Sequence, residues 1–265
     1  MPFFAPGDDP GANFPDLLRR IGHVAAAPAG TYDADLLGVP HATTCVALRY
    51  DGGVVMAGDR RATSGNLISH RTMEKVVQAD RHSGVAIAGS AGPAMEMVRL
   101  FQLQLEHYEK VEGSAISLEG KANQLSAMVR SNLQAAMMGM VVVPIFAGYD
   151  LLRHTGRLWD YDATGGRYEE RDYVATGSGS LHAGTVVKVG FRGDLSRDDA
   201  VDLAARALWE AADADSATGG PDVLRGIYPV IATIDEAGWE RLEDSDLAAR
   251  YTRIIAEVNG RTPQQ

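Results

Sequence analysis

From Thr43 onward the apolar positions fall into two rhythms. In Thr44-Cys45-Val46-Ala47-Leu48-Arg49-Tyr50, both alternating sets are largely apolar, the pattern of a strand buried on both faces. Asp51-Gly52-Gly53 follows, a tight turn in which glycine supplies the positive φ of a primed hairpin. Val54-Val55-Met56-Ala57 is the returning strand. Gly84–Gly89 is a further buried strand that ends in small residues. Val141–Tyr149 is another, with Pro144 marking an edge or a bulge because proline cannot donate to a ladder. Trp159-Asp160-Tyr161, then Thr164-Gly165-Gly166, then Tyr168 reads as a second hairpin, and Tyr228–Ile234 as a late strand.

The second rhythm is helical. Ala94, Val98, Phe101, Leu105 and Tyr108 fall at three-to-four spacing, and Gly113-Ser114 stops the run. Ser117 is placed to cap a second helix, with Glu119 in its first turn and a stripe of Ala122, Leu125, Val129, Leu133, Ala136 and Met140. Ser196 and Asp199 form a capping box ahead of Val201, Ala204, Leu208 and Ala211. A last helix covers Leu247–Val258. Strands, two helices, strands, helix, strand, helix: this order predicts an α+β chain whose antiparallel sheets are covered by helices, not a doubly wound parallel sheet.

Residues 1–42 break both rhythms. Six prolines, several glycines and an alanine-rich patch leave only Asp16–Val24 as a short helix. The segment reads as a leader with weak structure of its own, and it lacks the basic and apolar regions of a secretory signal. The net charge of −10 argues against a nucleic-acid partner, and no apolar run is long enough for a membrane span. The single cysteine, Cys45, permits no intrachain disulfide and reads as a buried structural thiol, which fits a cytoplasmic setting. His41, His82 and His107 lack metal-ligand spacing, so no metal and no cofactor is assigned.

Chemistry gathers at the head of the first strand. A threonine hydroxyl needs a neighbouring base, and the free amine of an N-terminal threonine is one known solution. A cut between Ala42 and Thr43 would create that pair of groups. Asp59 and Lys75 follow at successive intervals of sixteen residues and offer an ion pair whose cation would favour the unprotonated amine. The backbone N–H of Gly89, in Ala88-Gly89-Ser90, offers an oxyanion donor with no side chain in the way.

Taken singly, these residues have plainer readings: a β-forming threonine, a surface ion pair, a solvated lysine, a turn. Taken together with Thr43-Thr44-Cys45-Val46-Ala47, Gly53–Thr63, Glu74-Lys75-Val76, Ile87–Gly92, Leu105–Lys110, Gly177-Ser178-Gly179-Ser180 and Asp213–Asp222, the chain resembles the β-type subunit of the 20S proteasome, most closely the actinobacterial kind. These segments run in order from Thr43 to about Ile234.

The resemblance implies an N-terminal-nucleophile hydrolase fold, a four-layer αββα sandwich over residues 43–265, with residues 1–42 a propeptide removed on maturation. It implies Thr43 as nucleophile, Asp59 and Lys75 as its polar partners, Gly89 as oxyanion donor, and Ser178, Asp215 and Thr218 as residues that orient the amine and a water. Thr63, Gly89 and Ala91 match main-chain clamps for an extended substrate, while Ala62, Met73, Val77, Ile87, Ala91 and Met95 match specificity-pocket positions. All six pocket residues are apolar, which predicts cleavage after hydrophobic residues. The implied partners are α-type rings, further copies in seven-membered rings, and a ring ATPase delivering unfolded, modifier-tagged protein.

One position departs from that family's usual glycine before the nucleophile: Ala42, whose Cβ restricts the turn needed for self-cleavage and predicts slow processing. A catalytically silent β subunit is disfavoured by retention of Thr43, Asp59, Lys75, Ser178 and Asp215. The simpler bacterial threonine peptidase that works with a dedicated unfoldase shares the Thr-Thr start and the Gly-Asp segment. The long leader, Arg60-Arg61, and the two glycine-flanked motifs point away from it.

Overall fold

The computed structural model describes Leu17 and residues 43–261. The leader, the helix expected over Asp16–Val24 and the proposed cleavage-site residue Ala42 therefore lie outside the described residues, Leu17 excepted.

Two five-stranded antiparallel sheets stack at the centre. The first has the order β10-β1-β2-β11-β12, from β1 (Thr44–Tyr50), β2 (Gly53–Gly58), β10 (Tyr173–Gly177), β11 (Val230–Asp235) and β12 (Gly238–Arg241). The second has the order β5-β6-β7-β8-β9, from β5 (Val76–Asp80), β6 (Ser83–Gly89), β7 (Val142–Asp150), β8 (Thr155–Tyr161) and β9 (Arg167–Glu170). A small ribbon of β3 (Ala62–Ser64) and β4 (Leu67–His70) stands apart. Helices α1 (Ala91–Glu112) and α2 (Leu118–Ser131) cover the second sheet, and the short α3 (Leu133–Met137) follows them. Helices α4 (Ser180–Gly190), α5 (Arg197–Ala214) and α6 (Asp244–Arg261) cover the first. The architecture is the α+β, four-layer αββα sandwich.

The double-sided apolar pattern of β1 has a direct cause. Val46 and Leu48 face α4 and α5, whereas Cys45 and Ala47 face the second sheet, packed with Val76, Ala86 and Ile145. Period-two alternation thus supplies two cores from one strand. The helix signals act as read: Ser117 Oγ accepts the Gly120 N–H at 3.1 Å, Ser196 Oγ accepts the Asp199 N–H at 3.1 Å, and Gly113 terminates α1.

Several expectations change. Tyr108 is 41 % exposed, on the rim of the α1 stripe. The α2 stripe ends at Val129 because the helix breaks at Asn132, leaving Leu133 and Met137 facing outward and Met140 beyond the helix. Pro144 makes no bulge: it pairs in register with Ile87, and the β7–β8 ladder begins one residue later, so its missing N–H costs no partner. Helix α4 was not foreseen. Its sequence, Ser-Leu-His-Ala-Gly-Thr-Val-Val-Lys-Val-Gly, is rich in glycine and β-branched residues, and its helical state rests on Ala183 and Val187 buried against the first sheet.

Candidate active site

The head of β1 brings Thr43 and Thr44 to one end of the two sheets. Thr43 is 4 % exposed and its carbonyl oxygen accepts the Ser178 N–H at 2.8 Å, with the Ser178 hydroxyl 3.3 Å away. The loop after β10 can approach this closely because Gly177 has φ +97°; a Cβ there would sit 1.9 Å from the Thr43 carbonyl oxygen.

Asp59, at the end of β2, is completely buried. Its Oδ1 accepts the Thr44 N–H at 2.9 Å and the Lys75 ammonium at 2.7 Å, and its Oδ2 accepts the Arg61 and Gly219 N–H groups, each at 2.8 Å. Both oxygens are therefore doubly satisfied, the condition under which a buried carboxylate is tolerated. Lys75, whose side chain is 1 % exposed, also donates to the Arg61 carbonyl.

On the other side of Thr43, Asp215 caps the C-terminal end of α5 and gathers hydroxyls. Its Oδ2 accepts from Ser178 at 2.5 Å and Thr218 at 2.6 Å, and its Oδ1 from the Ala217 N–H at 3.1 Å. Burial raises this carboxyl, but those hydrogen bonds outweigh burial and hold it below the ordinary carboxylate range. The Thr218 hydroxyl lies 2.5 Å from the Thr44 hydroxyl, which also accepts the Gly179 N–H at 3.0 Å. Thr218 spends its proton on Asp215, so the Thr44 hydroxyl donates to Thr218, and the chain runs Thr44 to Thr218 to Asp215.

Thr44, Gly177, Gly179 and Gly219 belong to this constellation and were not assigned site roles from the sequence. Thr44 lay in the Thr-Thr pair and the glycines in motifs already noticed. Their contacts join residues up to 174 positions apart, as Thr44 to Thr218, and no local pattern carries such a contact.

A pocket of about 250 Å³, open solvent included, is walled by Thr43, Ala62, Met73, Lys75, Ile87, Gly89 and Ala91, with Ala88 and Ala94. Seven of the anticipated residues thus converge. Three of the substrate-binding candidates do not line it. Val77 points by strand alternation toward the core under α1, Met95 is 42 % exposed on α1, and Thr63 is half-buried on β3. Gly89 has φ +103°, and a Cβ there would meet the Val141 carbonyl oxygen at 2.1 Å, so only glycine fits this turn into α1. Cys45 lies beneath the same pocket wall; burial pushes its thiol up to about 12, against the lowering pull of Lys75, which makes it inert.

Two sheets enclosed by helix pairs, with a threonine at the head of the first strand beside a buried Asp–Lys pair, define an αββα sandwich of the N-terminal-nucleophile class. Residues 39–224 match the proteasome family, described as Proteasome subunit. The chain is 57 % identical over 261 residues to a protein named Proteasome subunit beta from Acidimicrobium ferrooxidans, covering 98 % of this chain and 93 % of that one. It is 58 % identical over 218 residues to the protein of the same name from Streptomyces griseus, covering 82 % and 77 %. A third, from Acidothermus cellulolyticus, is 52 % identical over 266 residues, covering 97 % and 89 %. The chain belongs to the proteasome subunit family, on its β-type, actinobacterial branch.

Proposed function

We propose that this chain is a catalytic β subunit of a 20S proteasome core and works as an N-terminal threonine endopeptidase. The observation that carries the reading is the Lys75 ammonium, buried and held by Asp59 on the wall of the pocket that Thr43 lines.

In the precursor, Thr43 Oγ attacks the carbonyl of Ala42. The peptide C–N bond breaks as an ester forms, water hydrolyses the ester, and Thr43 is left with a free amine. In turnover that amine, acting through a water, takes the Thr43 hydroxyl proton while Oγ attacks the scissile carbonyl. The nearby positive charge of Lys75 keeps the amine in its basic form, and Asp59 holds Lys75 there. The Gly89 N–H donates to the developing oxyanion. Ser178, Asp215 and Thr218 orient the amine and the water. The leaving amine departs protonated, and water hydrolyses the acyl-threonine ester to restore the site.

The apolar wall of Ala62, Met73, Ile87 and Ala91 supports cleavage after hydrophobic residues, with Thr63, Gly89 and Ala91 as main-chain clamps for an extended substrate. Val77 and Met95 line no part of the pocket among the described residues, so their share in specificity is smaller. The subunit assembles in seven-membered rings of its own kind against α-type rings, and a ring ATPase in the cytoplasm feeds it unfolded, modifier-tagged protein. Intact-mass measurement after assembly with α-type subunits tests this: a product beginning at Thr43 is expected, with hydrolysis of fluorogenic peptides after Leu, Tyr or Phe. Thr43→Ala should abolish both. A full-length chain without peptidase activity would overturn the reading, and faster cleavage after Arg or Asp would overturn the pocket assignment.

A further inference from the structure

A second pocket shares two residues, Arg61 and Gly219, with the surroundings of the buried Asp59 carboxylate. It holds about 340 Å³ of empty space, open solvent included, lined by Arg60, Arg61, Arg71, Gly219, Gly220 and Asp222 with an apolar side of Ile227, Tyr228 and Pro229. Three arginines and one aspartate line it, in a chain whose net charge is −10, so its charged lining is mostly positive in an acidic protein.

The guanidiniums are incompletely used. Arg60 donates to the Thr72 carbonyl at 3.1 Å and stands 3.8 Å from Glu74, yet its buried Nε has no acceptor among the described residues. A buried donor without an acceptor costs free energy that an occupant would relieve. Arg61 places one nitrogen on the Ser216 carbonyl at 2.9 Å. Arg71 is exposed and acts on Asp222 through charge alone. Asp222 is itself occupied by Arg225, whose guanidinium donates to it at 2.6 Å and holds its carboxyl below the ordinary range. The lone acid of the pocket is therefore committed elsewhere, and the three arginines keep donor capacity.

We propose that the Arg60–Arg61–Arg71 pocket is an oxyanion-binding site, taking a phosphate or a carboxylate in the forked geometry that guanidinium favours. Arg61 and Gly219 wall this pocket, and their backbone N–H groups are the two that hold Asp59 Oδ2. The site therefore shares its wall with the Asp59–Lys75 pair, although its existence does not depend on peptidase activity.

Calorimetric titration of the full-length chain with inorganic phosphate tests the proposal, with sodium chloride at matched ionic strength as control. Saturable binding is expected. Arg71→Ala, at an exposed position outside the threonine site, should weaken it about tenfold, the worth of one charge-assisted hydrogen bond. Arg71→Lys, which keeps the charge and loses the fork, should fall between. The same titration on the assembled ring separates two sources of the group. Phosphate bound in both forms assigns the pocket to a free anion. Phosphate bound by the unassembled chain and excluded from the ring assigns it to a carboxylate of a neighbouring copy. No saturable heat in either form, or binding unchanged by Arg71→Ala, overturns the site.

Discussion

Asp59 and Asp215 stand on either side of Thr43 and are held by different means. Asp59 is fully buried and receives three backbone N–H groups and an ammonium. Asp215 is half-buried and receives two hydroxyls and one N–H. The first arrangement fixes a charge: both oxygens are saturated, and the Lys75 ammonium is held by Asp59 and by the Arg61 carbonyl. The second fixes the direction of protons, because hydroxyls rotate and a carboxylate decides where they point. Under the proposed function, a Thr43 that must lose a proton would be served by both, a fixed cation on one side and an oriented relay on the other.

Breaking the charged side should have the largest effect. Asp59→Asn leaves Lys75 buried beside a neutral amide and should cost about 3–5 kcal/mol in chemical denaturation, because an uncompensated buried charge is the expensive product. Peptidase activity should fall with it. Retained stability would show that the backbone donors, not the lysine, define that side.

Next comes the link between the two sides. Thr44 bonds Asp59 through its backbone and Thr218 through its hydroxyl. Thr44→Val keeps the shape but strands the Gly179 N–H, at about 1–3 kcal/mol. It also frees the relay, so kcat should drop more than KM rises and the pH profile should move. Thr44→Ser should restore both. A purely structural role would leave the pH profile in place.

The smallest effect belongs to the hydroxyl side itself, and it depends on pH. The folded Asp215 carboxyl lies below its unfolded value. Its contribution to stability is therefore complete above about pH 4 and is lost as pH falls toward the folded value. Thermal melts of the wild type and Asp215→Asn should differ at neutral pH and converge in acid. A constant gap across that range would remove the hydrogen-bonded carboxylate from the account.

The two sides also differed in how visible they were along the chain. Asp59 and Lys75 were legible as a candidate pair because both lie close to Thr43 along the chain, Asp59 just after β2 and Lys75 just before β5. Ser178, Asp215 and Thr218 look like turn and loop residues, and only family resemblance singled them out. The arginine pocket was not visible at all: Arg60-Arg61 and Arg71 meet Gly219 and Gly220 only through the fold. The same holds for the elements. Strand β1, the α1 and α5 stripes and the helix caps follow from local periodicity. Helix α4 does not, since its own propensity opposes it and burial of Ala183 and Val187 overrides propensity.

By itself the sequence determined the α+β class, the two-faced first strand, most helix faces and the head-of-strand threonine with its Asp–Lys partners. All of these are local or short-range properties, written in spacing and residue type. Only the tertiary structure decided which pocket residues converge, that Thr44 joins the two carboxylates, and that three arginines line one pocket with Gly219, whose N–H holds Asp59. Those are contacts between segments far apart in the chain, set by sheet order and by the few glycines that let loops approach, and no periodicity records them.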